Sequence, residues 1–367
     1  MARPSCLYVY LLLVVLPVAA VNTGASSLDD ASLVDQLLEQ LALGKGSCAK
    51  VGKLARAALK PATIGLQQIA KLSETNAERD LQSWVMRQAW RRLLPDPYEF
   101  ELTLQHKQDE DLTVNKAHHA MLPHDAFRSI NKYAPQLFDE LFGTGDVLEQ
   151  WWSQAAEFGG PWYNEHPVVA EEPDPRKRVP YGIHGDDAGM HGNEQVLCLT
   201  WGPLAGMRKT TLDTRIAFSM VKVSDCVYPH IVQTMLEVFK WSLNALADGT
   251  FPDRDHNGKL FSKTHHPRRF AMAGQSLANG LRGLWGELRG DWKFLKEILH
   301  LQHHYNMGLR ICHLCKVVKY GPDPQMVYSN FRRDSHHRGT LWSHAAWMAF
   351  YLAQAVVSPL LFIKGYT

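Results

Sequence analysis

The stretch Arg178-Val-Pro-Tyr-Gly-Ile-His-Gly-Asp-Asp-Ala-Gly189 decides how the fold of this chain is interpreted. Residues Val179 to His184 are largely apolar and predict a short buried strand, with Pro180 near its start or on an edge. Asp has a low strand propensity, so Asp186 and Asp187 depart from the local pattern, as functional residues often do. Gly-Asp-Asp-Ala-Gly is also favourable turn chemistry. On this stretch alone, we favour the turn, but the segments downstream reverse that preference.

Downstream, the sequence alternates between strand and helix patterns. A short apolar strand is predicted at 196–201 and a half-buried strand at 214–223, where alternate apolar residues point to one face. Pro229 to Ala247 predicts an amphipathic helix that ends before Gly249. Residues 281–288 fit a strand or the start of a helix. Three strands, a crossover helix and a carboxylate after the next strand indicate an α/β (α+β) layer rather than a helical bundle.

The region before this layer is predicted to be mainly helical. Helical periodicity covers much of residues 21–95, including a capping box that begins at Thr75. The arginines near residue 90 are interpreted as a solvated face in preference to a DNA-contacting helix. Residues 95–111 fit a hairpin edge or a linker, and helices return over 122–152. The predicted domains are a signal-like segment (1–20), a helical N-terminal region (21–95), a helical or linker region (96–175) and the α/β core (176–367).

Composition and termini give conflicting indications of compartment. The formal net charge of +2 is too small to indicate nucleic-acid binding by itself, so any basic surface must be local. The first 20 residues resemble a secretory signal, with an apolar core and a small-residue cleavage site. Five further cysteines are an odd number for a fully paired secreted protein. The apolar run 347–363 is interpreted as a core helix and strand, so no membrane span is expected after signal removal. The sequence leaves the oligomeric state undefined.

Two carboxylates are candidates for metal chemistry. Asp186 and Asp291 are far apart in sequence, yet each follows a predicted strand, and Asp187 adjoins the first. Hard oxygen ligands at the ends of strands can hold Mg²⁺, which takes a substrate phosphate as a further ligand. Asp291 also fits an N-cap, because it precedes the helical pattern that starts at Trp292. Taken alone, the cap is the favoured interpretation of Asp291.

A second constellation is Cys312-His-Leu-Cys315, with histidines nearby. Thiolate and imidazole ligands suit tetrahedral Zn²⁺, and the short spacing lets one turn supply two ligands. The candidate imidazoles are His304, His336 and His337. A redox cysteine pair or unrelated core cysteines are the alternatives. The chain has no Gly-x-Ser-x-Gly elbow, P-loop or Rossmann fingerprint, and a zinc deaminase is disfavoured because the His-x-Glu motif is missing.

Several short segments carry a resemblance through their order along the chain. They are Leu122-Pro-His-Asp-Ala-Phe127, Trp151-Trp152, Val179–Asp186, Leu197-Cys-Leu-Thr-Trp201, Arg289-Gly-Asp-Trp292, Cys312-His-Leu-Cys315 and Trp342-Ser-His344. Over about residues 120–367, the chain resembles transposon-derived proteins that are abundant in some algal genomes and are similar to the transposases of CACTA-type mobile elements. The resemblance implies a ribonuclease-H-like mixed sheet with flanking helices and an inserted zinc knuckle. It also implies DNA strand transfer by metal-bound carboxylates.

The resemblance assigns roles to individual residues. Asp186 matches the first acidic position of the family, Asp291 matches the second, and Cys312 and Cys315 match its Cys-x-x-Cys. The third acidic motif, an Asp followed by His, has no counterpart after Leu360–Gly365, so the chain is expected to be C-terminally truncated and catalytically incomplete. The resemblance implies a nuclear protein, whereas the N-terminus indicates the secretory pathway. The alternatives are a non-enzymatic secreted or interaction protein with structural zinc, and a secreted metal-dependent hydrolase using Asp186, Asp187 and histidines.

Overall fold

The structure is a computed structural model, and its described residues fall mainly in the centre of the chain. They are 50, 52–54, 56, 80, 95–106, 109–158, 166–189, 194–206, 214–226, 230–299, 309, 312, 315–329, 334–341 and 343. The signal-like segment, nearly all of the helical region 21–94, His304 and the run 347–363 lie outside the described residues, together with the predictions made for them. The described part is a mixed α+β structure.

A β-hairpin and a group of helices precede the main sheet. Strands β1 (Tyr98–His106) and β2 (Asp109–Ala120) pair in antiparallel fashion, so the hairpin interpretation of the acidic stretch is confirmed. Among the described residues, four helices follow: α1 (Pro123–Tyr133), α2 (Pro135–Phe142), α3 (Asp146–Phe158) and the short α4 (Pro167–Glu171). Proline stands in the first turn of α1, α2 and α4, where its missing N–H is not needed.

The main sheet has four strands in the order β5-β4-β3-β6. Its strands are β3 (Arg178–Gly189), β4 (Gln195–Pro203), β5 (Ile216–Lys222) and β6 (Arg282–Gly290). Strands β3, β4 and β5 pair in antiparallel fashion, whereas β6 runs parallel to β3. The long helix α5 (His230–Asp248) lies between β5 and β6 in sequence and matches the predicted crossover helix. It ends at Gly249, whose φ of +69° suits a residue without a Cβ.

Two short helices complete the described core. Helix α6 (Pro267–Met272) follows a polar turn after α5, and α7 (Trp292–Leu299) begins directly after β6. The ambiguous stretch at 281–288 is therefore a strand. None of the helices in the described part of the chain combines the length and the apolar character needed to cross a bilayer.

The core lies between one face of the sheet and the helices. Side chains alternate between the two faces of a strand, and along β4 Leu197, Leu199 and Trp201 are buried while Cys198 and Thr200 are only half-buried. Aromatic rings fill much of the buried side: Trp201 stacks on Phe142 of α2, with centroids 5.7 Å apart. The sheet thus has one apolar face under helices. We call the other, which carries His184, Asp186, Cys198 and Thr200, the polar face.

Two local interpretations require correction. Gly-Asp-Asp-Ala-Gly is not a turn, because β3 continues through it to Gly189, with Asp186 opposite Cys198 and Asp187 opposite Leu197. The antiparallel partner β4 supplies ladder hydrogen bonds that outweigh the poor strand propensity of Asp. Strand β5 is not half-buried: Ile216 to Ser219 are all buried. Neighbouring elements cover these residues: Phe218 stacks on Phe239 of α5, and Ser219 contacts His118 of β2.

Candidate functional site

The parallel pairing of β3 and β6 brings the two predicted acidic positions to one end of the sheet. Gly185 and Gly290 are register partners, and each is followed directly by an aspartate, Asp186 on β3 and Asp291 after β6. Neighbouring strands lie about 4.8 Å apart, so the two aspartates start from adjacent backbone positions. Both residues are exposed to solvent.

Phe294 fixes the local geometry at this end of the sheet. Its ring, which is buried on α7, lies against both glycines, and a Cβ at Gly185 would come within 1.8 Å of Phe294 Cε2. At Gly290 the corresponding distance, to Phe294 Cδ1, is 2.3 Å. Only glycine therefore lets α7 dock here. The docked helix holds the two strand ends in register directly before the aspartates.

Asp291 is also the N-cap of α7. The backbone N–H of Phe294 donates to Asp291 Oδ1 at 2.7 Å, so the cap interpretation from sequence is confirmed. Capping engages one carboxylate oxygen and fixes the side-chain rotamer. This role is compatible with metal binding through the second oxygen. The two interpretations of Asp291, which were alternatives in the sequence, are therefore not mutually exclusive.

Asp187 points away from Asp186. It alternates to the opposite face of β3, where its carboxylate forms an ion pair with Lys293 of α7. Lys293 and Phe294 together attach α7 to this end of the strand. The structure thus separates the adjacent carboxylates into one facing the polar face and one facing α7.

Groups that the sequence did not single out surround Asp186. His184 lies two residues earlier on the same face, and it interacts electrostatically with both Asp186 and Asp291. Partial burial, reinforced by the nearby Arg215 guanidinium, lowers the pKa of His184 below its ordinary value, so the imidazole is neutral near pH 7. Burial raises the pKa of the Cys198 thiol, the register partner of Asp186, to about 11. A neutral imidazole and a protonated thiol thus lie beside the carboxylate pair.

The Cys-x-x-Cys residues lie in a small segment after the main core. Cys312 and Cys315 are free thiols that interact with each other, and burial, followed by this interaction with Cys312, raises the pKa of Cys315. The 3₁₀ helix His336–Thr340 packs beside them, because the backbone N–H of Lys316 donates to Thr340 Oγ1 at 2.9 Å. The sequence-distant histidines and cysteines are therefore parts of one substructure.

His336 and His337 are the candidate imidazoles that the structure describes. His336 Nδ1 lies 3.5 Å from Asp323 Oδ2, and the backbone N–H of His337 donates to the carbonyl of Gln325 at 3.4 Å. Within the ranges that the structure describes, no three His, Cys, Asp or Glu side chains form a group that could hold a metal ion. His304 lies outside those ranges.

A buried Ser-His-Asp arrangement elsewhere has a structural role. Ser242 Oγ lies 2.8 Å from His124 Nδ1, and His124 Nε2 lies 3.6 Å from Asp125 Oδ1. Ser242 and His124 are fully buried, so no substrate reaches them. Asp125 is held by Arg269 at 2.7 Å. The network joins α1, α5 and α6 and offers no accessible nucleophile.

The site is thus defined by its own geometry: two exposed carboxylates at the end of a parallel strand pair, flanked by a neutral imidazole and by basic side chains. Comparison with known proteins finds no matching family model, no matching curated protein and no matching solved structure.

Proposed function

We propose that this chain is a transposase-derived nucleic-acid-binding protein with a ribonuclease-H-like core, in which Asp186 and Asp291 hold a divalent metal ion against a phosphodiester. The observation that carries the proposal is the Gly185–Gly290 register pair, because it starts both acidic side chains from neighbouring strand ends. Carboxylate oxygens are the ligands that Mg²⁺ prefers, and Mg²⁺ keeps open positions for water and phosphate.

The strand arrangement supports the same proposal. Three antiparallel strands, a long crossover helix and a fourth strand parallel to the first are the arrangement expected for a ribonuclease-H-like core, as inferred from the resemblance. Beside the acidic pair, the polar face carries His184 and Thr200, whose polar groups suit contact with a charged polymer. An all-α N-terminal region remains part of the proposal.

The proposal is limited to metal and nucleic-acid binding. A metal ion at this site would supply Lewis-acid chemistry, which two-metal enzymes use to activate water or a 3′-hydroxyl. With two carboxylates, we expect weak metal retention and little or no strand transfer. The residues of this chain would then position a phosphodiester without efficiently cleaving it.

Substitution of matched aspartates tests the proposal. Titration of the full-length chain with Mn²⁺ by calorimetry should show a site whose affinity falls at least tenfold in Asp186→Asn and in Asp291→Asn, on the order of the losses seen when metal sites are disturbed. Asp146→Asn is the control, because its carboxylate lies at the start of α3 in an ion pair with Arg176. Equal effects of all three substitutions, or none, would reject the site.

A second candidate is a non-enzymatic interaction protein that keeps the fold and a structural Zn²⁺. The mutual contact of Cys312 and Cys315 favours it, since one metal could bridge both thiolates. Localisation discriminates between the candidates. A reporter fused after residue 25 would enter the secretory pathway if the N-terminal segment acts as a signal, whereas the transposase-derived protein is expected in the nucleus.

A further inference from the structure

Two arginines accompany the acidic pair on the polar face of the sheet. Arg289 of β6 is the register partner of His184, and paired residues on parallel strands share a face. His184 and Asp186 alternate onto that same face. Arg289 is exposed and forms an ion pair with Glu287, two residues earlier on the same strand, at 2.6 Å. Its guanidinium is therefore anchored at the rim of the site.

Arg215 approaches the same point from the other side. It directly precedes β5 and is half-buried. Its guanidinium interacts electrostatically with Asp186, Cys198 and Arg289. Burial, followed by repulsion from Arg289, lowers the pKa of Arg215 below its ordinary value. Arg215 lies next to β5 and Arg289 lies on β6, and these two strands are separated by β4 and β3. The two guanidinium groups thus approach Asp186 from opposite sides.

Arg215 and Arg289 are like charges, and Asp186, Asp291 and Glu287 are the carboxylates around them. Among the residues that the structure describes, no carboxylate lies within ion-pair distance of Arg215, and Arg289 repels it. Bringing a partly desolvated cation beside a like charge costs free energy unless an anion lies between them. Asp186 is close enough to interact with Arg215 but does not form a direct salt bridge with it. An anion placed between Arg215 and Arg289 would relieve their mutual repulsion.

We propose that Arg215 and Arg289 form a phosphate-binding pair that holds the phosphodiester backbone of a nucleic acid on the polar face, beside Asp186 and Asp291. The planar guanidinium fork matches two oxygens of one phosphate, and Arg is the side chain best suited to such bidentate contacts. The inference rests on the proposed function. It adds the residues that would position the substrate. Because these residues contact phosphate rather than bases, binding is expected to be independent of base sequence.

Salt dependence measures these contacts directly. We would follow binding of the full-length chain to a fluorescein-labelled single-stranded oligonucleotide by anisotropy, across a potassium chloride series without divalent metal. Each neutralised phosphate contributes about 0.7 to 0.9 to the slope of log K against log salt, so Arg215→Gln and Arg289→Gln should each lower the slope by about that amount. Arg176→Gln is the control, because Arg176 lies before the opposite end of β3 in an ion pair with Glu149.

The outcomes separate this inference from the proposed function. Wild-type slopes in both glutamine variants would overturn it. Arg215→Lys checks folding as well: it should keep the slope but weaken binding, because it keeps the charge without the fork. Calorimetry with inorganic phosphate distinguishes the source of the ligand, and arginine-dependent phosphate binding with unchanged oligonucleotide binding would overturn the nucleic-acid assignment. If Asp186→Asn leaves Mn²⁺ binding intact while the slopes still fall, the metal proposal fails and the arginine pair stands.

Discussion

Gly185→Ala should destabilise the protein by forcing α7 off the sheet. The new Cβ would lie 1.8 Å from Phe294 Cε2 and 2.0 Å from Cζ, whereas carbon atoms pack at about 3.5 to 4.0 Å. The ring is only 4% exposed and is enclosed by the sheet, so the clash cannot be relieved at the free end of a flexible side chain. Either Phe294 leaves its site or the whole helix moves.

The size of the destabilisation in Gly185→Ala follows from those two routes. Overpacking a core costs about 1 to 3 kcal/mol, and exposing a buried Phe costs about 1.5 to 3 kcal/mol. An eight-residue helix has little stability of its own, so its displacement would not be resisted locally. We therefore expect the free energy of unfolding to fall by about 1 to 3 kcal/mol in Gly185→Ala. The same movement would disturb Asp291, the cap of α7, and weaken Mn²⁺ binding.

Urea unfolding followed by circular dichroism measures this difference. Gly189→Ala is the matched control, because it lies on the same strand and a Cβ there meets nothing within 4 Å. Its effect should stay within about 0.5 kcal/mol. In a double-mutant cycle, Phe294→Ala should cost less in the Gly185→Ala background by about 1 kcal/mol or more. Equal stability of the two alanine variants, or strict additivity in the cycle, would refute the wedge role of Phe294.

Three further outcomes follow from buried groups. Arg269→Met should lower the unfolding free energy by about 3 to 5 kcal/mol, because it leaves the buried Asp125 carboxylate unpaired; a change near zero in urea unfolding would contradict this. Burial lowers the pKa of His124 to about 4, below the value of about 6.5 in the unfolded chain. The stability that depends on a neutral His124 is therefore complete above about pH 6.5 and falls by about 3 kcal/mol as the pH drops to 4. His124→Gln should flatten that part of the stability profile, and an unchanged slope would argue against it. On the second proposal, that of a structural Zn²⁺, purified protein should contain zinc that Cys315→Ser removes, and unchanged zinc content in metal analysis would reject that site.

Much of the element order could be predicted from sequence because it depends on local patterns. The helix His230–Asp248 has an apolar periodicity and a glycine stop, and residues 135–142 have an apolar stripe behind a proline. The continuation of β3 through Asp186 could not be predicted in the same way. It depends on pairing with β4, a tertiary effect that overrides local propensity.

The meeting of the two acidic positions also exceeds what local patterns can predict. Asp186 and Asp291 are more than a hundred residues apart, and only the parallel register of β3 and β6 makes them neighbours. The sequence placed each aspartate after a predicted strand, but periodicity does not show that those two strands pair. Arg215 was missed entirely, because a single arginine before a strand carries no sequence signal. His184 was passed over as part of an apolar run, although its alternation with Asp186 would have indicated a shared face.

A crystal structure of the full-length chain soaked in Mn²⁺ would test the central claim most directly. The account predicts an anomalous-scattering peak with carboxylate oxygens of both Asp186 and Asp291 at about 2.1 Å, the distance expected for a small divalent ion. A structure in which these two carboxylates point to different faces of the sheet, or in which Mn²⁺ binds elsewhere and leaves them empty, would contradict it.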